Sequence, residues 1–175
     1  VTDVRLVQCI QAKKHMANQV DVYLKNLDAP VNSDYPEYSP VISLDGSALY
    51  FTSRRPWKND ETEEFKDPRI NQYPEDVYVS YVDEDSTWSK PVRLEFCKPR
   101  QNEATIAISS DERKIYIYED STGNGDIYYT DFYHAKFQDI QQLKVKNINT
   151  KYWETHSMMS VSYTHLTLPT KPFVW

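Results

Sequence analysis

Four oxygen-bearing side chains stand at alternate positions in the segment DSTGNGD: Asp120, Thr122, Asn124 and Asp126. Calcium loops use that spacing, because alternate side chains can wrap a hard cation in oxygen while a Gly at the sixth position makes the turn. Here Gly125 stands sixth and Asp131 twelfth, without the bidentate Glu that closes such loops. Asp126 also opens a strand-like run, which would carry Asp131 away from an ion. A hairpin turn with Asx-type hydrogen bonds is the default reading, and calcium the alternative.

A second group, Arg54, Arg55 and Trp57, opens a polar insertion that Tyr73 closes. Arg and aromatic side chains on a loop are the residue types of an interface anchor. A loop packed on its own sheet accounts for them equally well. The acidic run 60–64 reads as a solvated loop face. Asp76 and Asp126 each precede a strand and read as turn anchors, the first paired with Arg54 or Arg55, with a ligand carboxylate as the other reading. Glu37, Glu103 and Glu154 lie on different repeats, too far apart from one another for paired-carboxylate chemistry. His15, His134, His156 and His165 are scattered without ligand spacing. The chain contains no Gly-x-Ser-x-Gly elbow and no His-Glu-x-x-His motif. No catalytic residue, no cofactor and no metal other than the calcium alternative is expected.

Composition sets the outer bounds. The 175 residues suffice for one domain with a sizeable core, and a net charge of -6 gives no nucleic-acid footprint. No apolar run approaches the roughly 18 residues of a membrane helix. Three glycines exclude a phosphate-cradling loop, and two cysteines are too few for a disulfide scaffold or a Cys-based zinc site. Cys9 and Cys97 read as free, buried thiols, with one disulfide as the alternative. The 24 aromatic residues, 14 of them Tyr, favour half-buried sheet faces.

The elements that must position these groups come from a repeat. NSDYPEYSPVIS from Asn32 and NTKYWETHSMMS from Asn149 share Asn, Tyr, Glu and Ser at matching places. EATIAISSDERKIYIY from Glu103 aligns with EYSPVISLDGSALYFT from Glu37, and DVYVS from Asp76 with DIYYT from Asp126. The equivalent residues Glu37, Glu103 and Glu154 are separated by 66 and 51 residues. Each unit predicts four strands: 39–43, 48–53, 76–81 and 88–94, then 104–109, 114–118, 126–131 and 137–145. Asp45-Gly46 marks a hairpin turn, which Asp111-Glu112 replaces without Gly in the second unit. Trp88 and Phe137 open the last strands and are expected to pack between units.

Four antiparallel strands per repeat of roughly 40–50 residues are the pattern of a propeller blade. The expected fold is all-β: a partial β-propeller of two four-stranded blades and the start of a third, with a short N-terminal helix. Residues 1–18 read as the helical end of an upstream region and 19–160 as the incomplete propeller, with 20–27 supplying an outer strand. Propellers close with roughly four to eight blades, so the chain is expected to be a fragment. VSYTHLTLPT, 161–170, translates GTC TCT TAT ACA CAT CTG ACG CTG CCG ACG, which resembles a transposase-type sequencing adapter. Residues 161–175 are therefore read as a non-native tail.

SPVISLDGSALYFTSRRP and DVYVSYVDEDSTWSKPVRL resemble TolB-type WD40-like propeller repeats. HMANQVDVYLKNLDAPVNS, YPEYSPVISLDG, TSRRP and INTKYWE, in that order, resemble more closely the OmpA-family, PorE-like envelope proteins of Gram-negative bacteria. The resemblance covers roughly residues 8–160. KPRQNEATIAIS departs from it by lacking Asn-x-x-Tyr, which puts a ligand site shared by every blade in doubt. It implies a non-enzymatic protein-binding and assembly module in the periplasm, with an outer-membrane association and envelope or type IX secretion proteins as partners. Peptidoglycan would be reached only through a domain that this chain lacks. The alternatives are a propeller gating a prolyl oligopeptidase-type hydrolase and a carbohydrate-binding propeller that uses Trp57.

Overall fold

The computed structural model describes residues 2–19, 21–57, 66–159 and 166–167. The acidic run 60–64, His165 and most of the expected tail lie outside them. The chain divides into two compact units, the second beginning at Leu27. The first carries α1 (Thr2–Ala17), close to the expected helix. Its last turn is closed by Asn18, whose side-chain amide donates to the Lys14 carbonyl at 3.0 Å. Its apolar residues Val4, Leu6, Val7, Ile10 and Met16 are exposed.

The expected strand at 20–27 is not formed. Residues 21–27 have no regular structure, and Val20 lies outside the described residues. Val22, Tyr23 and Leu24 are exposed, so the alternating pattern is present without a sheet edge to pair with.

The second unit holds two antiparallel sheets built alike. The first has the order β1 (Glu37–Ile42), β2 (Ala48–Ser53), β3 (Asp76–Tyr81) and β4 (Val92–Arg93). The second comprises β5 (Glu103–Ile108), β6 (Lys114–Glu119), β7 (Asp126–Tyr133), β8 (Lys136–Phe137) and β9 (Gln141–Gln142), the last two both pairing with β7. β1 and β5 carry a register shift at corresponding places, between Tyr38 and Val41 and between Thr105 and Ala107. Asp45 ties its hairpin by accepting from the Ser43 and Ser47 hydroxyls and the Ser47 N–H. Asp111 repeats this with Ser109 and Arg113. Gly46 has φ 75°, and Glu112 takes the same left-handed place at φ 57°. The missing Gly is thus replaced by a strained residue. Glu112 also accepts from the Leu44 N–H at 2.6 Å, joining the two hairpins.

The fourth strands are shorter than expected. Pro91 has no N–H to give a ladder, so pairing with β3 is confined to Val92–Arg93, with an isolated bridge from Val82 to Trp88. The second unit's run 137–145 is split into β8 and β9.

Ala48, Tyr50, Val77 and Val79 of the first sheet, with Leu94 and Phe96 just after β4, pack with Ile115, Ile117 and Phe137 of the second. Phe137 meets Tyr50 and Phe96 edge-on, at 6.1 and 6.3 Å between ring centres. Trp88 does not share this role, in contrast to the expectation. It packs on the opposite face of the first sheet, with Leu49, Phe51 and Tyr78. β2 is buried on both faces, which is why ALYFTS reads as a continuous rather than an alternating run.

The first strands of successive repeats are neighbours: β5 lies beside β1, and β10 (Met158–Met159) lies beside β5. β10 pairs with β11 (Leu166–Thr167) rather than with a full third sheet. Among the described residues the fold is all-β and propeller-like: two successive antiparallel units, with one short helix.

Candidate functional site

The shared Asn-x-x-Tyr-x-Glu pattern builds a clasp. Ser33 donates its N–H and hydroxyl to Glu37, and the Tyr35 N–H donates to the Ser33 hydroxyl. Thr150, Glu154 and Tyr152 repeat the same three bonds. In the first repeat Arg55 joins, pairing with Glu37 at 3.2 Å and donating to the Val31 carbonyl. Its guanidinium lies 5.6 and 5.5 Å from the Phe51 and Tyr78 ring centres.

The sequence-selected residues Arg54, Arg55, Trp57 and Tyr73 all lie in the connection between β2 and β3 of this sheet. Arg54 pairs with Glu75 at 2.6 Å and donates to the Tyr73 carbonyl at 2.7 Å. Tyr38 donates to Glu75, and burial together with that carboxylate pushes its phenol upward in pKa. Tyr73 is buried, its ring edge-on to Tyr35 at 5.8 Å. Trp57 is half-buried, with the Arg93 guanidinium 3.2 Å from its ring centre. The Arg93 guanidinium covers that face of Trp57. Together the four residues pin both ends of the insertion to the first sheet. Contrary to the expectation from sequence, Asp76 pairs with neither Arg54 nor Arg55, which are taken by Glu75 and Glu37; it accepts instead from the Trp57 indole N–H at 2.9 Å.

The segment with the calcium pattern forms a turn closed by the Gly123 N–H on the Asp120 carbonyl. Its polar groups are tied mainly to neighbouring segments, and the Thr122 hydroxyl also donates to Asp126 at 3.3 Å. Asp120 accepts from Asn102, the Asn124 amide donates to the Thr150 carbonyl, and Thr122 donates to the Asn124 carbonyl. Asp126 accepts from Gln142 at 2.8 Å. The four side chains thus act as turn and inter-repeat ties.

Two features were not selected from the sequence. The first is a buried cluster at the joint of the two sheets. Among the described residues, Asp76, Cys97 and Glu103 place one ligand atom each within 4.8 Å of one another, all three buried. Asp76 and Glu103 each retain one buried oxygen without a hydrogen bond. Burial raises Asp76 to about 7, while Arg93 and Trp57 pull the other way. Burial, then Asp76, raises Glu103 to about 8. The Cys97 thiol is also pushed up by burial. Both cysteines are free, but Cys9 is exposed, not buried as expected. The count of two cysteines hid the cluster, because it mixes one thiol with carboxylates from two repeats. The readable signal was KPRQNE itself, the one repeat without its clasp.

The second feature is a cleft of about 370 Å³ lined by Tyr38, Ser39, Glu75, Thr105, Tyr118 and Trp153, among others. Tyr38, Ala104 and Thr155 follow the repeated Glu directly, and Ser39, Thr105 and His156 come next. Equivalent positions of three repeats therefore converge on one opening with different side chains. Trp153 is 59% exposed and stacks on Tyr118 at 6.3 Å. Gly125 makes room for that stack, since a Cβ there would lie 2.0 Å from the Tyr118 ring.

No family model matches the chain, and no curated protein matches it. Fold and site together define a propeller-like all-β repeat module.

Proposed function

We propose that the chain is a non-enzymatic protein-binding module, part of a WD40-like propeller of the kind carried by OmpA-family, PorE-like periplasmic envelope proteins. The observation that carries this reading is the cleft to which three repeats contribute equivalent positions. Repetition supplies a rigid frame, and variation at the same positions supplies specificity. Tyr38, Tyr118 and Trp153 offer aromatic contact area at low entropic cost, and Glu75 offers an acceptor at the wall. Such a surface suits an extended segment of an envelope or secretion-system protein. Among the described residues no helix is long and apolar enough to cross a membrane.

Panning a displayed random-peptide library against the full chain tests the reading. The expected result is a set of enriched peptides whose affinity falls at least tenfold on Trp153→Ala. Failure to enrich any peptide, or binding indifferent to Trp153, would overturn it.

A further inference from the structure

The buried cluster at the joint has the build of a ligand set. Each member is held on one side by a hydrogen-bond donor. The Trp57 indole N–H holds Asp76 Oδ2 at 2.9 Å, the Val77 N–H holds Cys97 Sγ at 3.2 Å, and the Lys98 N–H holds Glu103 Oε1 at 3.4 Å. On the other side Asp76 Oδ1 and Glu103 Oε2 are bare, although both residues are 0% exposed. Bare buried carboxylate oxygen is costly unless a cation or a proton completes it. Donors behind the ligands, fixing their orientation, are what metal sites use.

We propose that Asp76, Cys97 and Glu103 bind a divalent cation, with Zn²⁺ the best-fitting ion. The thiolate selects a borderline-soft ion over Ca²⁺ or Mg²⁺. Tetrahedral zinc spaces its donors about 3.3–3.8 Å apart, from bonds of about 2.0–2.3 Å. The three donor atoms already lie within 4.8 Å of one another, so small side-chain movements close the set. Three protein donors leave a fourth position for water. Two carboxylates and a thiolate exceed the ion's charge by one, and Arg93, whose charge acts on both Asp76 and Cys97, balances the excess. Binding releases any thiol and carboxyl protons to solvent. Asp76 and Cys97 belong to the first repeat and Glu103 opens the second, so the ion would clip one repeat to the next.

The test uses the full chain stripped with a chelator and titrated with Co²⁺ as a spectroscopic probe, then with Zn²⁺. One equivalent of Co²⁺ should give a thiolate-to-cobalt charge-transfer band with tetrahedral visible bands, and Zn²⁺ should displace it and raise the melting temperature. Cys97→Asn, which carries the side chain found at the second joint, should abolish the band. Glu103→Gln should weaken binding at least tenfold, and Cys9→Ala should change nothing. Circular dichroism checks that each variant is folded, and the wild-type titration stands without any of them. Absence of the thiolate band together with an unmoved melting temperature would overturn the proposal. So would a band that survives in folded Cys97→Asn and disappears in Cys9→Ala.

Discussion

The two joints of the chain solve one backbone problem with different chemistry. At each, the residue after the repeated Asp, second in its strand, has an N–H and a carbonyl that need partners. At the second joint Asn149 accepts from the Ile127 N–H at 2.8 Å and donates to the Ile127 and Leu143 carbonyls. At the first, Cys97 takes that place, accepting from the Val77 N–H and facing the Val77 carbonyl at 3.8 Å. The next Glu shows the same contrast. Thr150 clasps Glu154 with N–H and hydroxyl, whereas the position four before Glu103 is Pro99, which has neither. The backbone tie itself is kept: the Glu103 N–H donates to the Glu75 carbonyl and the Glu154 N–H to the Gly125 carbonyl, both at 2.8 Å. Each joint leaves one oxygen of its Asp bare, but at the second Glu154 accepts on both oxygens while at the first Glu103 keeps one bare, and that difference goes with Pro99.

The largest effect expected from this contrast is in pH dependence. In the presence of chelator the chain should lose stability steadily from about pH 4 to about pH 8. Below that range both states hold the Asp76 and Glu103 protons. As pH rises the unfolded chain ionises first, while the folded chain keeps its protons until about 7 and 8. The groups facing this pair are Arg93, Trp57, Cys97, Lys98 and Glu119. Glu103→Gln should flatten the profile and stabilise the chelated chain at pH 8 by roughly 2–4 kcal/mol. Urea midpoints across the range measure it, and a profile that rises with pH would break the contrast.

Next comes the cap. Asn149→Ala strips partners from the Ile127 N–H and two carbonyls, and should cost about 2 kcal/mol in urea unfolding. Cys97→Ala, with a weaker sulfur acceptor to lose, should cost less. Equal costs would mean that the two caps are interchangeable.

Much of this architecture is legible in the residues. Asp45-Gly46, the paired Asp76 and Asp126, and the run of apolar strands locate two repeats. The joint is less legible, because Asp76 and Glu103 meet only after two sheets have packed, and local patterning carries no record of that meeting. Aligning the repeats by Glu nonetheless marks Lys98-Pro99 as the place where Asn-Ser or Asn-Thr is missing. The fourth strand of the first repeat is shorter than its residues suggest because Pro91 interrupts the ladder inside a β-rich run. Residues 21–27 alternate without forming a strand because alternation reports a face, not the presence of an edge to pair with.

Gly125 sharpens the contrast at the cleft. The equivalent first-repeat position is Glu75, which carries a side chain freely and pairs with Arg54. At Gly125 a Cβ would strike the Tyr118 ring. Gly125→Ala should therefore cost about 1–2 kcal/mol by overpacking. It should also push Tyr118 off Trp153, read as a change in Trp fluorescence. An unshifted spectrum and midpoint would show that Tyr118 moves aside at no cost.

The smallest effect expected is also the most specific. Pro99→Ser restores at the first joint the residue type that holds Glu37 and Glu154. The new N–H and hydroxyl can reach the Glu103 carboxylate and occupy its bare oxygen. In chelator the chain should gain about 0.5–1 kcal/mol, the worth of a hydrogen bond less the stiffness lost with Pro. With Zn²⁺ the sign should reverse, because the serine competes with the ion for Glu103 and affinity falls severalfold. A clasp and an ion are then alternative ways to complete the same acid. A variant stabilised equally with and without metal would separate them, leaving Pro99 a matter of chain stiffness alone.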